Sequence, residues 1–247
     1  MSTGEQRISF LGSLEATALP PAWYKRTATM ADTARILEDF ARSEPSARAF
    51  AARAFDAAWE PSSVAFRAMF AGVARRLGSA GGVAPDNAPD ISDARPHWTL
   101  TDWVRAALVL RALRSVDVAT QPAVVQRLFE GGELGEQESI LRMLELLPLP
   151  SRYVETALLG CRANAVRVFE AIACDNPYPE RHFPERSFNQ MVLKAIFMEV
   201  PVARIEGLAR RRSPELERMA RDYASERRAA GRSVPADVDA LLTGSKS

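Results

Sequence analysis

From residue 30 onwards the apolar residues of this chain recur at intervals of three and four, and nowhere do β-branched residues alternate with polar ones for more than a few positions. Intervals of three and four place side chains on one face of a helix, whereas a half-buried strand requires a period of two. The pattern therefore predicts an all-α fold. Met30, Ala34, Leu37 and Phe40 define a helix over 29–43, Phe50, Ala54, Phe55 and Ala58 one over 46–59, and Val64, Met69, Phe70, Val73 and Leu77 one over 62–77. Residues 1 to 29, with Pro20, Pro21, Trp23 and Tyr24, read as an irregular lead-in.

Between 78 and 96 the chain collects Gly78, Gly81, Gly82, Pro85, Pro89 and Pro96 among small and acidic residues, which is loop chemistry. It is the one boundary the sequence offers, dividing an N-terminal helical segment (1–78) and a linker (79–98) from a helical stack (99–245), with one continuous domain the expected whole. Thr99 reads as an N-cap with Asp102 three residues on, an acidic variant of the capping box. The helix it opens, carrying Trp103, Ala107, Leu110 and Leu113, is apolar nearly all round and is expected to be buried between others.

Helical hairpins with short turns follow. A helix over 121–130 has Pro122 in its first turn and ends at Gly131 and Gly132. Further helices are predicted over 135–147, 153–159, 163–173, 188–198 and 202–210, and a long one over 213–229, capped by Ser213 with Pro214 behind it and ended by Gly231. Pairs of helices recurring every roughly 30 to 45 residues suggest stacked hairpins of HEAT or armadillo type, with a compact helical bundle as the alternative.

Composition narrows the function. With 47% hydrophobic and 26% charged residues the chain is globular and not disordered. A net charge of +1 supplies no field to hold a phosphate backbone or an anionic membrane, so nucleic acid is not an expected partner. Two cysteines, Cys161 and Cys174, are no disulfide framework and read as buried thiols. Glu5 and Glu15 flank the short apolar stretch near the N-terminus, which lacks the features of a secretory signal. Arg105 and Arg111 interrupt the most apolar helix, so no integral membrane segment is expected and the cytoplasm is the predicted compartment.

Motifs of known chemistry do not match. His97 and His182 stand far apart with no close second ligand, and Asp86, Asp90 and Asp93 lack the glycine and the terminal glutamate of a calcium loop, so no metal and no cofactor are predicted. The glycine groups at 78–82 and 131–135 have no following Lys and Ser or Thr to make a phosphate loop. Neither a G-x-S-x-G elbow nor an aspartate-rich diphosphate motif occurs.

The most suggestive stretch runs from Cys174 to Met191. Pro177, Pro179 and Pro184 with Tyr178 and Phe183 make it stiff, and a stiff loop holds side chains in place at low entropic cost. Gln190 and Lys194, one helical turn apart, share a face of the apolar helix that follows. One reading is a pocket in which Asn176, Tyr178, His182, Asn189, Gln190 and Lys194 bind a small polar group. The other is a packed corner, with Asp175 or Asn176 as cap, Tyr178 and Phe183 in the core and Lys194 reaching solvent. On the last long helix Arg218, Asp222 and Glu226 form a charge ladder, near Arg210, Arg211 and Arg212; an anion or acidic-partner patch with Arg218 and Asp222 competes there with a solvated, salt-bridged face.

In two runs the chain resembles the EboA family, the first protein of a bacterial operon also found in eustigmatophyte algae. The first run passes from Asn176, Pro177, Tyr178 and Pro179 through Phe183, Pro184, Phe188, Asn189, Gln190 and Met191 to Lys194 and Ala195. The second passes from Arg204, Ile205, Glu206, Gly207 and Leu208 through Arg218, Met219, Ala220, Asp222 and Tyr223 to Glu226, Arg227, Ala230, Gly231, Arg232, Val234 and Pro235. The resemblance implies a part in moving a secondary-metabolite precursor toward the periplasm. Its operon company of a UbiA-type prenyltransferase, a TatD-like hydrolase and sugar-isomerase-like proteins implies a prenylated or polyol-derived product. It supplies no catalytic residues.

Two functions are thus carried forward. In one, a non-enzymatic helical protein holds a metabolite or another operon-encoded protein. In the other, an enzyme or enzyme subunit makes the product, with His182 as acid or base and Lys194 or the arginines neutralising an anionic substrate.

Overall fold

The structure, a computed structural model, describes residues 30–77 and 98–243; the lead-in over 1–29, the linker residues Asp86, Asp90 and Asp93, and His97 lie outside the described residues. Among the described residues there are twelve α-helices and no strand, as the periodicity predicts. In chain order these are α1 (Met30–Ser43), α2 (Arg48–Asp56), α3 (Val64–Leu77), α4 (Leu100–Leu113), α5 (Gln121–Glu130), α6 (Leu134–Met143), α7 (Val154–Arg162), α8 (Val166–Ala173), α9 (Tyr178–His182), α10 (Glu185–Phe197), α11 (Pro214–Ala229) and α12 (Ala236–Thr243).

Helix α4 is the centre. Its start is fixed by the predicted capping box: Thr99 Oγ1 accepts from the Asp102 N–H at 3.2 Å while the Asp102 carboxylate accepts from the Thr99 N–H at 2.9 Å. All of its residues except Thr101 and Arg111 are buried. The apolar circumference is explained by its neighbours, since α1, α2 and α3 pack on it together with α6. Full burial of a side chain such as Leu108 or Leu110 is worth about 1.5–3 kcal/mol, so this helix anchors the core. Its one buried cation, Arg105, is tolerated because it donates to the carbonyls of Phe70 and Gly135 and lies over the Phe70 ring.

Beyond α4 the helices stack as hairpins in chain order. Consecutive helices α5 to α8 touch one another, and contacts also link alternate helices, α4 with α6, α6 with α8, α8 with α10, and α5 with α7. Helices α10 and α11, then α11 and α12, continue the packing. Ser213 caps α11 as predicted, accepting from the Leu216 N–H at 3.2 Å.

Four local expectations are corrected. The helix predicted over 135–147 stops at Met143 and tightens into the 3-10 turn Leu144–Leu146, because Pro148 and Pro150 prevent its continuation. The 202–210 helix reduces to the 3-10 turn Val202–Arg204, since Gly207 takes a positive φ of 72° and turns the chain away. The stiff loop after Cys174 contains a short helix, α9, with Pro177 at its N-cap and Pro179 in its first turn, where no N–H is needed. Finally α12 was not anticipated; the Asp237 carboxylate ties it down by accepting from the Val202 N–H at 3.1 Å. Both cysteines are free thiols, Cys174 buried and Cys161 partly so, and burial pushes them up to about 11 and about 12, so they stay neutral. No helix among the described residues is long and apolar enough to cross a membrane.

Candidate functional site

Where α8 ends, the chain reverses. Asp175 sits in the left-handed region at φ 51°, which Asp tolerates better than most side chains do. Its N–H donates to the Arg204 carbonyl at 2.8 Å, and its carboxylate accepts from Arg204 Nε and Nη2 at 2.9 and 2.7 Å. Arg204 Nη1 also donates to Glu170 on α8, at 2.8 Å. Asn176 follows with its amide fully engaged: Nδ2 donates to the Ala171 and Leu141 carbonyls, and Oδ1 accepts from the Tyr178 N–H. The stretch 174–177 is thereby folded back against α8 and forms one wall of a cavity of about 120 Å³.

The facing wall comes from α6 and α8. Glu138 and Arg142 stand one turn apart on α6, and Arg167 enters from α8. Arg142 Nη1 lies 3.1 Å from Asp102 Oδ2, and Asp102 Oδ1 also accepts the Ser139 hydroxyl at 2.7 Å. The Glu138 side chain is 4% exposed; its Oε2 accepts from Arg167 at 3.2 Å and Arg142 at 3.5 Å, whereas its Oε1, equally buried, has no partner. The lining carries three cations, Arg142, Arg167 and Arg204, and three anions, Glu138, Glu170 and Asp175. Pockets that enclose a drug-sized ligand are about 300–1,000 Å³. This cavity is smaller and suits the polar end of a larger molecule or a small polar one.

The residues singled out in the sequence fall into separate places. Asn176 lines the cavity. Tyr178 is buried, donates its hydroxyl to the Pro150 carbonyl at 2.6 Å, and has its ring 4.6 Å from that of His182; burial holds the phenol well above its ordinary range. His182 Nε2 lies 3.0 Å from Glu145 Oε2, and Arg181 donates to Glu145 Oε1 at 2.7 Å. Burial pushes the Glu145 carboxyl up, but the hydrogen bonds from His182 and Arg181 outweigh it and hold the group below its usual range.

On α10 the polar residues diverge. Asn189 is buried and donates to Ser213 Oγ at 3.3 Å, with its Oδ1 unpartnered. Gln190 is exposed. Lys194 donates to the Cys161 and Ala163 carbonyls, each at 2.7 Å, over the Phe169 ring, so it caps the end of α7; burial lowers its ammonium below the ordinary range. Arg218 and Asp222 pair at 2.6 Å on the exposed face of α11, apart from the cavity. The structure thus joins Asn176, Tyr178 and His182 in one neighbourhood and disperses the others. Glu138, Arg142, Arg167, Glu170, Asp175 and Arg204 were not singled out in the sequence as ligand-binding residues; the signals were a charged pair on α6 amid Ile140 and Leu141, and the place of Arg204 at the head of the second family-like run.

Fold and site define a class of protein: an all-α stack of helical hairpins enclosing a small cavity lined by paired charges. The profile of the EboA family, described as metabolite traffic protein EboA, matches residues 56–243, and the chain belongs to that family. Every described residue of the cavity lies inside the matched span. No curated protein and no solved structure matches the chain.

Proposed function

We propose that this chain is a non-catalytic binding protein of metabolite traffic, which holds the polar end of a small molecule in the cavity between α6, α8 and Arg204. The observation that carries the reading is the cavity itself, with three arginines and three carboxylate side chains in its lining and room for a few polar heavy atoms. Family membership supports a metabolite as the occupant. From the sequence-derived set, Asn176 belongs to this site; His182, Asn189 and Lys194 act beside it by holding the corner together. The alternate-helix contacts also support a HEAT-like description of the stack. We set the protein in the cytoplasm, among operon-encoded partners, on the strength of its balanced charge and family.

The test is mass spectrometry of small molecules retained by the purified chain, compared with an Ala171→Leu variant that fills the cavity and with a double variant, Gln190→Ala and Lys194→Ala. A molecule lost only from the Ala171→Leu protein supports the reading. Retention by that variant, or a folded wild type with nothing bound, counts against it and favours a scaffold that meets partner proteins. The enzymatic alternative rests on the pairing of His182 with Glu145; a His182→Ala protein that folds and sustains pathway output would eliminate it.

A further inference from the structure

The six charges lining the cavity do not offer equal purchase to a ligand. Each arginine is already engaged: Arg142 by Asp102 and Glu138, Arg167 by Glu138, and Arg204 by Glu170 and Asp175. Arg167 is in addition 75% exposed, so its charge is spent largely on water. An anionic ligand would have to share a guanidinium with the carboxylate already on it. The unsatisfied group is an acceptor, Glu138 Oε1, on a side chain 4% exposed. A buried carboxylate oxygen without a donor is costly, and native proteins supply one from water, an ion or a ligand.

We infer that the cavity selects a hydroxyl or ammonium group and rejects carboxylates and phosphates, with Glu138 as the residue that sets this preference. The inference rests on the reading of the cavity as a binding site and specifies the ligand chemistry of that same site. A neutral or cationic donor entering the cavity completes the Glu138 carboxylate without breaking any of the existing ion pairs. Glu138 lines the cavity, so the donor reaches Oε1 once the carboxylate turns toward it. An anion would face Glu138, Glu170 and Asp175 at short range, beside arginines that each already carry a carboxylate. The arginines therefore act as a frame that holds the carboxylates in place, and the carboxylates read the ligand.

Three probes of nearly equal size separate the possibilities: ethylene glycol, ethanolamine and glycolate, titrated into the full chain while the backbone amides of Asp175 and Asn176 are followed by NMR. Shifts with ethanolamine or ethylene glycol and none with glycolate are expected, and which of the two binds more tightly identifies the ammonium or the hydroxyl as the preferred donor. Glu138→Gln, which turns an N–H toward the cavity, should weaken the donor probe at least about tenfold, as expected for the loss of a hydrogen bond to a charged group. Glycolate binding as well as or better than ethanolamine in the wild type overturns the inference, whether or not the variant folds. So does the lack of any shift even at molar probe, which would leave Oε1 to water. A natural ligand that survives the Ala171→Leu change defeats the binding-site reading instead, and a ligand that occupies the cavity but yields to glycolate defeats only the donor preference.

Discussion

Asp175 and Arg204 are joined twice across 29 positions of sequence, by a backbone hydrogen bond from the Asp175 N–H and by a guanidinium on the Asp175 carboxylate. The two links close the wall of the cavity, and the residue making them is left-handed. Replacing Asp175 by Ala removes the ion pair and also leaves a Cβ-bearing residue without local hydrogen bonding in that conformation. Replacing it by Gly removes the same side-chain interactions but leaves a residue at ease in that conformation. The Gly variant should therefore be the more stable of the two by about 1 kcal/mol in urea unfolding. Equal stabilities would mean that the backbone relaxes out of the left-handed region once the arginine is released.

Asp102 serves two helices at once, capping α4 through Thr99 and holding Arg142 of α6. Its removal takes away the return half of the capping box, the partner of the Ser139 hydroxyl and one of the two carboxylates on Arg142, so Asp102→Ala should cost about 2–3 kcal/mol. A loss below about 1 kcal/mol in calorimetry or denaturant unfolding would show that Arg142 finds other partners.

Lys194 and Gln190 are neighbours on α10 with opposite fates, one folded onto two carbonyls and the other in solvent. Lys194→Met strands the carbonyls of Cys161 and Ala163 and should cost about 1–2 kcal/mol, while Gln190→Ala should stay within about 0.5 kcal/mol of wild type. Thermal unfolding of the two single variants checks this; a Gln190 effect as large as that of Lys194 would point to a role in the folded state that its exposure hides.

The Glu145 carboxyl is held below its ordinary value of 4.5 in the folded chain by His182 and Arg181, against the upward push of burial. The unfolded chain therefore binds a proton more readily than the folded one, and the group adds stability above its unfolded pKa that is lost as pH falls through the lower folded value. Wild type should exceed Glu145→Gln in stability at neutral pH, with the gap closing below about pH 4.5. A gap unchanged from neutral to strongly acid solution would show that the glutamate acts by shape alone.

Helices and their starts were legible because their signals are local. Thr99 with Asp102, and Ser213 with Pro214, state their caps within four residues. The cavity was not legible, since its walls combine Glu138 and Arg142 with residues 167–177 and Arg204. A sequence gives a buried pair and a solvated pair the same appearance: Glu138 and Arg142, and Arg218 and Asp222, are both opposite charges one helical turn apart. Only the packing of α6 against α4 and α8 buries Glu138 and half-buries Arg142, while the second pair remains in solvent. In the proline-rich stretch the packed corner was expected to send Lys194 to solvent, whereas it folds onto two carbonyls, and the side chain there that binds Arg204 is Asp175, which the sequence marked only as a cap.

A wall drawn from α6, α8, the turn after Cys174 and Arg204 exists only while all four are docked. Whatever occupies the cavity must then favour the folded chain over the unfolded one. At a hundred times its dissociation constant an occupant would add about 2.7 kcal/mol to folding. Degradation in the cell tracks the unfolded fraction, so with such an occupant the amount of this protein that persists would rise and fall with the occupant's supply.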